Sequence, residues 1–151
     1  MPMSAYALPA LLFATLFTGA ALYITLVEHP ARLPLGEAPM LTQWQASYRR
    51  ALPIQSTLAI LAGVGGLAAG WSTSDWRWIA GGVAMLANWP FTLVVLLPVN
   101  RRLMATLPAQ ASASSHLLLL RWGRLHDVRS GLGVVAMLFY LSAFLPVLPT
   151  P

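Results

Sequence analysis

The chain has 151 residues, of which 58% are hydrophobic and only 9% charged. A soluble domain of this size carries about 25% charged residues to keep its surface solvated, so four acids and nine bases exclude an ordinary water-soluble globule. All nine bases are arginines, and none form a basic stripe along an otherwise soluble element, which argues against nucleic acid as a partner.

The absence of cysteine removes disulfides, thiolate metal ligands and a cysteine nucleophile. The length suits one domain over residues 1–151. Membrane lipid is the solvent this composition fits, and the expected fold class is all-α: an integral membrane four-helix bundle with two short helical connections on one face.

In chain order, a first span is expected at about residues 4–27, ahead of Glu28-His29-Pro30. Its apolar run is long enough to cross a bilayer, which takes about 20 residues. Residues 1–27 hold no base, unlike the n-region of a signal peptide, so the segment reads as a retained span. Pro34, Gly36 and Pro39 mark a loop, followed by a short helix up to Arg50 with Trp44 and Tyr48 on one side.

The second span is expected at about 51–70. Its small residues, Gly63, Gly65, Gly66, Ala68, Ala69 and Gly70, favour close helix approach within the bundle and also permit a homo-oligomer. Trp71, Trp76 and Trp78 bracket a tight Ser-Thr-Ser-Asp turn and read as an interfacial belt. The third span, about 78–98, carries Asn88-Trp89-Pro90, and its proline predicts a kink. A helix start at Pro108 leads through Trp122 to a fourth span at about 128–146.

Eight arginines lie in or beside the two long connections, and only Arg77 in the short one. The positive-inside rule therefore predicts long connections in the cytoplasm and both termini opposite, in a bacterial-type inner (cytoplasmic) membrane.

Antiparallel alternation brings the end of span one, the start of span two, the end of span three and the start of span four to one face. The unusual polar residues gather there: Glu28, His29 and Arg32; Tyr48, Arg50 and Gln55; Thr92 and Asn100; Trp122, His126, Asp127 and Arg129. Thr92 and Asn88 lie deeper, where polar groups are costly unless they face a bundle interior or cavity. Trp122, His126 and Arg129 share one helical face. A neighbouring guanidinium disfavours a charged imidazole, which suits His126 to general-base work.

Ordinary readings stand beside these. His126 also fits an interfacial anchor, Arg129 a base reaching for headgroups, Glu28 a helix-end ion pair with Arg32, and Asn88 a partner for backbone freed by Pro90. A metal ion or haem held by His29 and His126 is a further alternative, although adjacent Glu28 and His29 point about 100° apart on a helix. No phosphate-binding glycine loop, Gly-x-Ser-x-Gly elbow or His-Glu-x-x-His motif is present.

The stretches Val27–Arg32, Ala87–Thr92, Pro98–Leu103 and Arg121–Ser130 resemble the anthrone oxygenase family of small four-helix membrane proteins. The Pro-x-Asn and Trp-x-x-x-His-x-x-Arg patterns carry that resemblance most specifically. It implies oxidation of an anthrone to an anthraquinone by molecular oxygen, with no flavin or haem required. His126 would then be the base, and Arg129 and Asn100 would stabilise the developing oxyanion. Glu28 or His29 would orient His126 or relay its proton.

Trp122 and Trp89 would flank a flat aromatic or quinone-like substrate, with Asn88, Thr92, Tyr48 and Gln55 completing its pocket. A non-catalytic binding or transport module and a structural subunit of a larger complex are the competing classes. The polar residues favour a pocket over a scaffold without separating catalysis from binding.

Overall fold

The computed structural model describes residues 4–144 of the chain. It is all-helical, with four helices long and apolar enough to cross a membrane: α1 (Ala7–Arg32), α2 (Glu37–Thr73), α3 (Trp76–Ala105) and α4 (Ala113–Phe144). Helices α1 and α3 each pack against both α2 and α4, so the four form an up-and-down ring. The expected fourth span runs to Pro146, and its last residues, like the Pro149–Pro151 tail, lie outside the described residues.

The helical connections are continuous with the spans. The expected short helix before Arg50 and the second span form one helix of 37 residues through Pro53. At a rise of roughly 1.5 Å per residue, α2 is about 55 Å long. This exceeds the roughly 30 Å hydrocarbon core, so its first turns stand in the connection region. Helix α4 likewise begins well ahead of the fourth span expected from sequence.

Two turns of π-helix interrupt the regular winding, at Ile24–Glu28 in α1 and Thr92–Leu96 in α3. Each closes on the residue just before a proline. His29 N–H bonds the Ile24 carbonyl ahead of Pro30, and Leu97 N–H bonds the Thr92 carbonyl ahead of Pro98. A proline ring clashes with the carbonyl four residues back and offers no N–H. A wider turn accommodates that ring without breaking the helix. Pro90, where a kink is expected, lies inside regular α-helix, and the winding changes after it, at the site end of α3.

Packing differs along the bundle. One end is built from Ala7, Ala10, Ala14, Ala59, Ala62, Ala69 and Ala136 around Phe17, Trp78, Met85 and Tyr140. Small residues let backbones approach, and here glycines are indispensable. A Cβ at Gly66 or Gly81 would strike the Tyr140 ring, and one at Gly82 would press the Gly63 carbonyl. Tyr140 meets its own polar requirement by donating to the Ala62 carbonyl at 2.8 Å. The other end is held by large side chains, among them Trp44, Leu96, Leu103, Leu119 and Trp122.

At the short connection, helix α2 ends on Ser74, whose φ of 55° turns the chain left-handed. Asp75 caps α3 by accepting from Arg77 N–H at 3.0 Å, and the Arg77 guanidinium holds its carboxyl below the usual carboxylate range. Trp71 and Trp76 are exposed, as an interfacial belt requires. Trp78 departs from that expectation: it is buried against Tyr140 and Phe144, at 4.9 and 5.3 Å between ring centroids. Two residues beyond Trp76, it falls on the inward side of the helix.

Gly66→Ala is expected to lower the thermal unfolding midpoint in detergent, reflecting the roughly 1–3 kcal/mol that overpacking costs. Gly19→Ala, where a methyl would meet nothing within 4 Å, should leave the midpoint unchanged or raised.

Candidate functional site

The large-residue end holds a small polar cavity of about 30 Å³ to which all four helices contribute. Ile24 and Arg32 come from α1; Trp44, Ser47, Tyr48 and Gln55 from α2; Thr92, Leu96 and Asn100 from α3; Trp122, His126 and Arg129 from α4. Both π turns open onto it, through Ile24 and through Thr92 and Leu96. An adjoining cavity of about 200 Å³ shares Tyr48, Leu52, Thr92 and Arg129 with the first, and adds Ser56, Asn88, Trp89, Leu93 and Leu97. Trp89 and Leu93 are exposed on the outer surface of the bundle. The outer cavity therefore borders the lipid-facing side between α2 and α3.

Six buried polar atoms, all on residues that line the inner cavity, have no hydrogen-bond partner among the described residues: Arg32 Nε, Trp44 Nε1, Gln55 Nε2, Asn100 Oδ1, His126 Nε2 and Arg129 Nε. Leaving such a group unsatisfied costs about 1–3 kcal/mol, and more when it is charged. A ring of them marks a place built for something polar.

His126 is 2% exposed, and its ring stacks on Trp122 at 4.9 Å. Its Nδ1 meets Thr25 Oγ1 at 3.2 Å, which leaves Nε2 free. Arg129 is 9% exposed, sits over the Phe17 ring at 5.7 Å and has no carboxylate partner among the described residues. A cation buried without a counter-ion is a strong demand for an anion.

The other cation in the cavity is neutralised. Arg32, 2% exposed, pairs with Glu28, which also accepts from Gln43 Nε2 at 3.0 Å. The helix-end pair expected from the i,i+4 spacing is thus present. It holds Glu28 away from His126. His29 is packed against Trp122 at 5.4 Å and against Gly123, where a Cβ would collide with its ring. No hydrogen bond joins Glu28 or His29 to His126; Thr25, one turn earlier on α1, takes the orienting place expected of them.

His29 and His126 both pack on Trp122, and no group of three or more His, Cys, Asp or Glu suited to a metal ion occurs among the described residues.

Of the residues expected around a substrate, Tyr48, Gln55, Thr92 and Trp122 line the inner cavity, with Tyr48 and Thr92 shared between the two. Trp89 and Asn88 line the outer one, so the two tryptophans expected to flank one substrate belong to different chambers. Trp122 is engaged with His126 and stands edge-on to Trp44 at 5.6 Å, which makes it a wall of the histidine niche. Asn88 donates to the Met85 carbonyl at 3.1 Å, keeping Oδ1 without a partner.

Arg32, expected at this face, lines the cavity, whereas Trp44, Thr25 and Ser130 join the site unforeseen. The spacing His126–Ser130 puts both on one face of α4, and a threonine inside the apolar run of α1 was the available signal for Thr25. Gln45 ties α2 to the end of α3 by donating to the Leu103 and Thr106 carbonyls at 2.8 and 2.9 Å.

The family model described as anthrone oxygenase matches residues 44–139, well over half the chain. The chain belongs to the anthrone oxygenase family. The matched region contains His126, Arg129, Asn100, Trp122, Trp89 and Asn88, so the family stretch carries most of the cavity wall; α1, with Thr25, Glu28, His29 and Arg32, lies outside it. No curated protein and no solved structure matches the chain.

Glu28→Ala should destabilise the protein by about 3–5 kcal/mol, because it strands the Arg32 charge in a buried position. Thermal unfolding in detergent measures this, and a midpoint equal to that of the unmodified protein would show that Arg32 reaches solvent or another partner.

Proposed function

We propose that the protein is a membrane oxygenase that oxidises a hydrophobic aromatic substrate of the anthrone or hydroquinone type with molecular oxygen. The observation that carries this reading is the pairing, around one cavity, of an imidazole nitrogen without a partner and a buried guanidinium without a counter-ion. The first suits a general base; the second stabilises the anion that the base creates.

For an anthrone, His126 Nε2 takes a proton from the acidic methylene, and the electron pair spreads to the carbonyl oxygen as a phenolate. Arg129, with Asn100 and Gln55 nearby in the cavity wall, binds the oxygen-centred charge. The anion passes one electron to O2, and the radical pair combines to form a carbon–oxygen bond. The His126 imidazolium returns its proton to the peroxide anion, and the resulting hydroperoxide loses the second methylene proton while its O–O bond breaks, releasing hydroxide. The carbon becomes a carbonyl, and hydroxide takes up a proton. Anthrone and O2 thus give anthraquinone and water, with both oxidising equivalents drawn from O2.

The outer cavity supplies access. Its lining of Leu52, Leu93, Leu97 and Trp89 fits a flat apolar molecule arriving from the bilayer. The shared residues Tyr48, Thr92 and Arg129 stand where that molecule meets the polar chamber. The arginine bias supports long connections facing the cytoplasm of a bacterial-type inner membrane.

His126→Ala should abolish oxygen uptake with anthrones while circular dichroism and the unfolding midpoint stay close to those of the unmodified protein; unchanged uptake would remove His126 from the reaction. Arg129→Leu should lower kcat by about a hundredfold or more, the scale of losing an oxyanion donor. Tight binding of an anthrone without oxygen uptake would favour a binding or transport module instead.

A further inference from the structure

The hydrogen-bond circuit behind His126 is a closed one. Thr25 Oγ1 lies 3.2 Å from His126 Nδ1 and 3.0 Å from Ser130 Oγ, and Ser130 Oγ lies 3.2 Å from the His126 carbonyl oxygen. A histidine tautomer follows from the partners of its ring nitrogens.

The circuit contains three contacts but only two hydroxyl protons. A carbonyl oxygen only accepts, so the Ser130 hydroxyl donates to it. The Thr25–Ser130 contact must then use the Thr25 proton. That leaves the Thr25–His126 contact with no proton except the one on Nδ1. If Thr25 instead donated to Nδ1, one of the two remaining contacts would have no hydrogen. The fully satisfied arrangement runs in one direction: Nδ1–H to Thr25, Thr25 to Ser130, and Ser130 to the His126 carbonyl. Buried polar groups favour such complete circuits because water is not there to finish an incomplete one.

The geometry points to Thr25 and Ser130 as positioning residues that lock neutral His126 in the Nδ1–H tautomer, so that Nε2 presents a lone pair to the cavity. In the opposite tautomer Nε2 would carry a proton and could not accept one from a substrate. This role crosses from α1 to α4, with one residue of α1 setting the chemistry of a residue on α4. The tautomer belongs to the resting protein; its catalytic consequence rests on the oxygenase reading above.

The test is a two-bond proton–nitrogen correlation spectrum of protein carrying 15N-histidine, in detergent at a pH where the imidazoles are neutral, with the His126 signals identified by their loss in His126→Gln. The expected spectrum has His126 protonated on Nδ1 and unprotonated on Nε2. Thr25→Val should move population to the Nε2–H tautomer and Thr25→Ser should restore the native pattern. Ser130→Ala probes the circuit from its other end and serves equally if Thr25→Val fails to fold.

In turnover, Thr25→Val should reduce kcat about ten- to a hundredfold at nearly constant KM, the usual scale for a residue that orients a working histidine, with recovery in Thr25→Ser. A native protein with the proton on Nε2, or a Thr25→Val spectrum identical to the native one, overturns the inference. The expected tautomer in a protein that oxidises no anthrone or hydroquinone leaves the circuit standing and refutes the oxygenase reading.

Discussion

A hydrocarbon surround offers no hydrogen bonds, and this single constraint orders the structure. Every polar atom in the bundle must find a partner inside it or face a cavity. Most comply by local means: Tyr140 reaches the Ala62 carbonyl, Gln45 the end of α3, and Arg32 the carboxylate of Glu28. The atoms that do not comply are concentrated rather than scattered. Six of them belong to residues that line one chamber, and among them are the imidazole nitrogen and the guanidinium that a base-initiated oxidation needs.

The two ends of the bundle divide the labour. At one, alanine and glycine bring the backbones close around Tyr140, and there is no room to spare. At the other, tryptophans and leucines hold the helices apart, and the space left over is the chamber. Arg129 stays buried without a counter-ion because the packed helices around it keep their places. The tight end thus makes the unusual end affordable.

Much of this was legible in the sequence. Hydropathy and the scarcity of charge gave the four helices, and their alternation placed Glu28, Asn100 and His126 at the same face before any coordinates. The one-face clustering of Trp122, His126 and Arg129 is present as expected, as is the Glu28–Arg32 pair. Other features were hidden for physical reasons. Helical periodicity does not say where a span stops if helix continues into water, so the unbroken length of α2 was invisible, whereas the run through Trp122 into the fourth span was expected.

Trp78 looked like its exposed neighbours because composition does not tell which side of a helix faces inward. Thr25 was obscured by its apolar context: its value comes from two side chains on α4, and a long-range partner leaves no local trace. The split of Asn88 and Trp89 from Trp122 into separate chambers likewise depends on where α2 crosses, which no spacing encodes.

The π turns before Pro30 and Pro98 carry a consequence at the level of the gene. A π turn holds one residue more than the α turn it replaces, so a single codon separates the two windings. Losing one between Thr92 and Leu96 would restore the α turn, leave the residues beyond it facing as before, and re-aim only the turn itself. Thr92 and Leu96, which line the chamber, are the side chains that would shift while the helix remained intact. The shape of the polar chamber is therefore only one codon away from a different one, and deletion or insertion, more than substitution, is the step by which such a bundle could exchange one ligand for another.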